Sequence, residues 1–98
     1  MKRENEYQSL LVKRLYRLFP DCLILKNDEG YIQGFPDLLI LNGRTWAALE
    51  CKRYEKATRR PNQEYYINLL DKMSYANFIS PENEEEVIRE LQETFRIN

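Results

Sequence analysis

Apolar residues recur along the chain with two different periods, and each change of period marks a predicted element. Spacings of three and four residues predict helices over residues 4–19, from Pro61 onward, and over 80–95. Short apolar runs bounded by turn residues predict strands over residues 22–26, 37–41, 45–52 and 75–79. The order helix, three strands, helix, strand, helix predicts an α/β domain with a small mixed central sheet flanked by helices.

The helical spacing also predicts which side chains face the core. In the first helix these are Tyr7, Leu10, Leu11, Leu15 and Leu18. In the second they are Tyr66, Leu69, Leu70 and Met73, and in the third Val87, Ile88, Leu91 and Phe95. Ser80 and Pro81 precede the third apolar stripe, and they are predicted as its N-cap and first helical residue.

The second and third predicted strands flank Asn42-Gly43, a dipeptide typical of tight hairpins. If these two residues form the turn, Asp37 lies opposite Ala48. If the loop has four residues, Asp37 lies opposite Glu50. The sequence leaves both registers open.

The chain has 98 residues, enough for one compact domain, which we predict to span residues 1–98. No apolar run approaches the ~18 residues of a membrane span, so no membrane association is predicted. The N-terminal residues lack the apolar core of a secretory signal, and a cytoplasmic location is therefore expected.

The sequence contains no histidine, which excludes histidine-based general bases and zinc sites. Cys22 and Cys51 lie in apolar runs, where buried, reduced thiols are expected, with a disulfide as the alternative. Chemistry in this chain must therefore use carboxylates, lysine or a metal held by oxygen ligands.

Charge is unevenly distributed, although the net charge is only -1. Residues 82–98 carry six Glu against Arg89 and Arg96, so residues 1–81 hold 13 Lys and Arg against 10 Asp and Glu. A mildly basic body permits a nucleic-acid partner.

Three charged residues stand in or beside the apolar hairpin strands. Glu50 and Lys52 are two apart, so their side chains leave the same face, and either register brings Asp37 to that face. Two neighbouring carboxylates can share a Mg²⁺ ion, and an adjacent lysine can orient water and offset phosphate charge. The alternative is that Asp37 caps a turn and the other two line a solvated face.

The pattern "GFPDLLIL…WAALECK" closely resembles the PD-(D/E)xK nuclease superfamily and, within it, the VRR-type nuclease branch. The resemblance implies a restriction-endonuclease-like fold over nearly the whole chain. It also implies metal binding by Asp37, Glu50 and the backbone carbonyl of Cys51, with Lys52 as a catalytic residue and Mg²⁺, or Mn²⁺ in its place, as the ion.

Two further positions match the family pattern. The family glutamine corresponds to Gln63, which lies in the first turn of the second helix. A glutamate of the first helix near the metal corresponds to Glu6, with Glu4 as the alternative. The other interpretations are an exposed carboxylate at a helix N-terminus and a glutamine that caps backbone groups.

A basic segment follows the predicted site immediately, and it is a candidate DNA-binding surface. Its residues after Lys52 are Arg53, Lys56, Arg59 and Arg60. Lys13, Arg14 and Arg17 of the first helix are expected to extend this surface, whereas a solvated loop is the alternative for the whole run.

Small stand-alone members of the VRR-type branch, often from phages, are similar to Holliday-junction resolvases and act as dimers. The resemblance therefore implies a Mg²⁺-dependent, structure-selective DNA endonuclease that acts on branched DNA as a homodimer, in the bacterial or phage-infected host cytoplasm. Two alternatives stay open: a nuclease for flaps, nicks or ends, and a non-catalytic nucleic-acid-binding module on the same fold.

Overall fold

A computed structural model describes residues 3–28 and 30–96, and its elements follow the predicted order. The helices are α1 (Glu4–Leu18), α2 (Pro61–Met73) and α3 (Glu84–Arg96). The strands are β1 (Leu23–Lys26), β2 (Leu38–Asn42), β3 (Thr45–Cys51) and β4 (Tyr75–Ile79). The predicted α/β class is confirmed. None of the helices in the described ranges is long and apolar enough to cross a membrane.

The four strands form one mixed sheet in the order β1-β2-β3-β4. The pairs β1–β2 and β2–β3 are antiparallel, whereas β3 and β4 are parallel. A parallel pair requires a crossover connection, which α2 supplies. This connection places α2 against one face of the sheet, over β3 and β4.

The hairpin between β2 and β3 turns at Gly43 and Arg44, one residue later than Asn42-Gly43, because Asn42 pairs with Thr45. Gly43 has a φ of 62°, which suits the first central position of a two-residue turn. Thr45 Oγ1 donates a hydrogen bond to the Asn42 carbonyl at 2.9 Å and fastens the turn. The register runs as far as Leu38 opposite Leu49. Its continuation sets Asp37 opposite Glu50, which is the second of the two pairings predicted.

Apolar side chains cover both faces of the sheet. On one face, α1 and α3 pack on β2 and β3 through fully buried residues that include Leu11, Leu15, Leu38, Leu49 and Leu91. On the other face, Ile67 and Leu70 of α2 pack on Ala48, Ala76 and Phe78. Both cysteines are buried free thiols, as predicted.

The buried stripes of α1 and α2 are narrower than predicted. Leu10 and Leu18 of α1 are exposed, and so are Leu69 and Met73 of α2. In α2 the buried positions are Ile67 and Leu70, because this helix contacts the sheet mainly along β3 and β4. Leu69 and Met73 therefore face solvent and do not belong to the core.

Helix α3 begins at Glu84, three residues later than predicted, and Ser80 is not its N-cap. Asn83 accounts for the delay: its Oδ1 accepts the Ser80 N–H at 2.8 Å, and its Nδ2 donates to the Phe78 carbonyl at 3.0 Å. These two bonds hold residues 80–83 in a turn. The predicted inward face of Val87, Ile88, Leu91 and Phe95 is buried as expected.

Candidate functional site

Three carboxylates converge where β2 begins and β3 ends. Oxygen atoms of Glu4, Asp37 and Glu50 all lie within 4.8 Å of one another. The hairpin register sets Asp37 beside Glu50, and the first turn of α1 brings Glu4 to them. Acidic side chains normally avoid such proximity, because like charges raise each other's free energy unless a cation lies between them.

Backbone contacts fix the orientation of Asp37. Its Oδ2 accepts the N–H of Cys51 at 2.8 Å, and its carbonyl accepts the N–H of Asn27 at 2.8 Å. Pro36, directly before it, is fully buried. The carboxylate is therefore held at the strand end with the Cys51 backbone beside it, and Cys51 is the residue whose carbonyl was predicted as a ligand.

Glu50 is the most buried member of the group, with 3% of its surface exposed. Burial, followed by the negative charge of Asp37, raises its pKa from the ordinary 4.5 to about 8, although the nearby Lys52 acts in the opposite direction. A buried carboxylate with a raised pKa binds a proton or a cation in preference to standing alone. The Glu50 position therefore favours occupation by positive charge.

Gln63 joins the carboxylate group to Lys52. The Lys52 ammonium donates to Gln63 Oε1 at 2.9 Å, and Gln63 Nε2 donates to Glu50 Oε2 at 3.1 Å. The Arg60 N–H also donates to Gln63 Oε1, at 3.0 Å, which ties the side chain to the N-terminus of α2. As strand alternation predicts, Glu50 and Lys52 leave the same face, and one glutamine contacts both.

On α1, Glu4 and not Glu6 meets the other two carboxylates. Glu4 lies three and seven residues before the buried Tyr7 and Leu11, so it shares their inward side of the helix. Glu6 lies one turn before Leu10, which is 48% exposed, and its carboxylate approaches Arg3 at 3.7 Å. The family pattern favours Glu6, but the exposure of Leu10 shows that this side of α1 does not face the sheet, so the alternative, Glu4, is the residue that meets the group.

A cleft of about 150 Å³ opens beside Glu50 and Gln63. Gly34 forms one wall with a φ of 84°, and a Cβ at this glycine would stand 2.5 Å from Asn62 Cγ. Only glycine permits both this backbone conformation and this close approach. Asn62 is a lining residue that the sequence patterns did not indicate, because contact between the loop and α2 is purely tertiary.

The basic segment lies in the exposed connection between β3 and α2. Arg60 lines the cleft with Glu50, whereas the Arg59 guanidinium stacks over the Phe78 ring, 4.1 Å from its centroid. Arg53 lies 5.4 Å from the ring centroid of Tyr54, and Lys56 is exposed. The segment therefore lies next to the carboxylate group in space as well as in sequence.

On α1, Arg14 is directed elsewhere. It donates to Glu84 and also to both carboxylate oxygens of Glu85, at 2.7 and 3.0 Å, and these bonds tie α1 to α3. Arg14 thus stabilises the contact between α1 and α3. Of the three α1 residues expected to extend the basic surface, only Lys13 and Arg17 are exposed.

The donor set of the carboxylate group fits a hard divalent cation. Its ligands are oxygens only, they lie close enough to share one ion, and one of them is buried with a raised pKa. Mg²⁺ and similar ions prefer oxygen ligands and retain several waters when proteins supply few of them. The Lys52 ammonium donates to Gln63, which also donates to Glu50, so a positive charge lies beside the carboxylate group.

No protein-family model matches the sequence, and no curated protein matches it. Among solved structures, the chain is similar to one described as a VRR_NUC domain protein, at 24% identity and a TM-score of 0.71. The match covers 98% of this chain and 92% of the other. The chain therefore has the fold of a VRR_NUC domain protein, a restriction-endonuclease-like α/β fold.

Proposed function

We propose that this protein is a divalent-metal-dependent DNA nuclease of the VRR type. The observation that carries the proposal is the convergence of Glu4, Asp37 and Glu50 beside a Lys52–Gln63 pair, on the fold of a VRR_NUC domain protein. Asp37, Glu50 and the Cys51 carbonyl are the proposed ligands, joined by Glu4 in the place expected for Glu6. Mg²⁺ is the proposed ion, with Mn²⁺ as a substitute.

The proposed reaction is hydrolysis of a phosphodiester bond. A bound divalent cation supplies charge neutralisation at phosphate oxygens and favours deprotonation of water. The Lys52 amino group lies beside the carboxylate group, and only one of the three N–H groups of an ammonium is needed for Gln63. The others can orient water or donate to a phosphate oxygen as negative charge develops there. Gln63 keeps the ammonium and the Glu50 carboxylate in fixed relative positions.

The proposed substrate is branched DNA cut internally, as in a Holliday-junction resolvase, by a homodimer in the cytoplasm. A two-fold dimer supplies two sites related as the arms of a four-way junction are related. One site per chain supports one incision, so paired incisions require two chains. The exposed basic segment beside the carboxylates supports a DNA substrate.

A panel of labelled DNAs tests this function. With Mg²⁺, we expect paired nicks in strands of like polarity on a synthetic four-way junction, and Mn²⁺ should support the same products. Simple flaps, nicked duplexes and blunt ends should be cut at least about 10-fold more slowly, since none of them presents the two-fold arrangement of arms of a four-way junction. Equal cutting of flaps and junctions would instead favour a general nuclease for flaps, nicks or ends, and binding without any cutting would favour the non-catalytic module.

Replacing Arg59 and Arg60 together with alanine should weaken DNA binding for every sequence. Each lost phosphate contact removes about 0.9 from the slope of log affinity against log salt, so the slope should flatten by up to ~2. Fluorescence anisotropy over a salt series, with Ca²⁺ in place of Mg²⁺ to prevent cutting, measures this slope.

The matched control for that variant is Arg89→Ala with Arg96→Ala. These exposed arginines lie on the acidic helix α3, whose negative charge repels DNA, so their removal should leave the salt slope unchanged. Equal slopes for the two double variants would show that the basic segment is a solvated loop that makes no phosphate contacts.

A further inference from the structure

A continuous group of apolar side chains is exposed on the α2 side of the sheet. Leu23 and Leu25 of β1 are 53% and 45% exposed, and Leu41 of β2 is 36% exposed. Helix α2 adds Tyr65, Leu69 and Met73, which are 60%, 40% and 66% exposed. We call these six residues the apolar face.

The sheet register and the helical repeat make this face continuous. Leu23 pairs with Leu41, so both side chains leave the same side of the sheet. A shallow pocket of about 290 Å³ joins Leu41 to Met73 across Leu39 and Trp46. Along α2, the three exposed residues follow one another at intervals of four, which aligns them in one stripe.

The apolar face is large for the surface of a monomer. Given their exposed fractions, its six side chains present on the order of 600 Å² of apolar surface, the upper end of the largest patch that a typical monomer exposes. A stable interface covers about 800 Å² on each partner, and the half-buried Leu39 and Trp46 supply part of the remainder.

The absence of charge on the apolar face favours a second copy of this chain as its occupant. The six residues of the face carry no charge, so a two-fold contact, which sets a surface against itself, meets no like-charge repulsion. Two-fold contacts through the acidic helix α3 or through the basic segment would set like charges together. Nucleic acid is a poor occupant, because its phosphates require cationic partners.

The outer strands disfavour the other way of joining two such sheets, edge to edge. On β1, the Ile24 N–H donates to the Tyr16 hydroxyl at 3.0 Å. On β4, the N–H groups of Ala76 and Phe78 donate to side-chain oxygens of Asp71 and Asn77, at 3.1 and 2.8 Å. Engaged N–H groups cannot template a further strand. A face-to-face contact does not need them.

We propose that two copies of this chain associate by two-fold symmetry through the apolar face. Phe35 lines both the shallow pocket on this face and the cleft beside Glu50, so the contact adjoins the carboxylate sites of both copies. The homodimer itself belongs to the proposed function, on which this contact rests. Its formation can be measured without DNA or metal.

The test compares two double variants by light scattering, and by fluorescence-detected sedimentation from about 10 nM to 100 µM, because interfaces of standard size bind with picomolar to micromolar affinity. Leu69→Lys with Met73→Lys places two charges per chain on the face, and the dimer dissociation constant should rise at least about 100-fold. Leu10→Lys with Leu18→Lys is the matched control, since these α1 residues are 48% and 38% exposed and lie outside the face. It should remain as dimeric as the wild type.

Leu23→Lys provides an independent variant on the sheet side of the same face, and it should also weaken the dimer. Circular dichroism and thermal unfolding establish that each variant is folded. A wild-type protein that is monomeric at 100 µM overturns the proposal, as does a folded Leu69→Lys, Met73→Lys variant that dimerises like the control. Loss of cleavage with an intact dimer would count against the proposed function alone.

Discussion

Replacing Asp37 with asparagine should lower Mg²⁺-dependent cleavage by at least about 1,000-fold while the fold is kept. The side-chain oxygen of the substituted asparagine can still accept the Cys51 N–H, so the backbone contact at 2.8 Å survives. Its amide group can donate towards Glu50, which relieves repulsion between two carboxylates. Thermal stability without metal should therefore hold or rise, whereas the ability to hold a cation is lost.

Nicking of supercoiled plasmid and cutting of a labelled junction measure the loss, and thermal unfolding with and without Mg²⁺ measures the fold and the metal response. Two glutamine substitutions on α1 sharpen the comparison. Glu4→Gln should also reduce cleavage, by at least about 10-fold, because its carboxylate lies in the group. Glu6→Gln, only two residues away, should cut like the wild type. Undiminished cutting by the Asp37 variant, or equal effects of the two α1 variants, would refute the ligand assignment.

The stability of the metal-free protein should fall as pH rises from 5 to 8. Burial raises the pKa of Glu50 from 4.5 to about 8, so in that interval the folded protein holds a proton that the unfolded chain has lost. The free energy of unfolding therefore decreases with pH in this window and levels off above it. A decrease of about 1 kcal/mol corresponds to about 4–8 °C in the melting temperature of a domain of this size.

Divalent cation should reverse this trend, because it takes the place of the proton on Glu50 and binds best when that proton is gone. The Mg²⁺-induced rise in melting temperature is thus expected to be larger at pH 8 than at pH 5. Glu50→Gln keeps an acceptor for Gln63 but removes the titration, so it should lose most of the pH slope and of the Mg²⁺ response. A slope identical in the variant and the wild type would assign the titration to other groups; Glu6→Gln serves as the exposed-carboxylate control.

The basic segment and the helix contacts illustrate how far charge patterns can be interpreted from sequence. The run from Arg53 to Arg60 is local in sequence, so its position after β3 could be predicted from the order of residues alone. Arg14 has the same chemistry, yet Glu84 and Glu85 engage it from 70 residues away. No local pattern distinguishes an arginine free to meet phosphate from one committed to another helix.

The sequence by itself determined the order of helices and strands, the mixed sheet, and the common face of Asp37, Glu50 and Lys52, because periodicity and strand alternation are local properties. The family resemblance indicated Gln63, and its place in the first turn of α2 follows from Pro61. Tertiary structure alone decided the hairpin register, the choice of Glu4 over Glu6 and the delayed start of α3. Each depends on which of several nearly equivalent positions makes a specific contact in the folded chain: Thr45 with Asn42, Tyr7 with the core of the sheet, and Asn83 with Phe78. Periodicity does not show which of these side-chain contacts form. The contact of α1 with the sheet also joins residues far apart in the chain, so it exists only when the chain is folded.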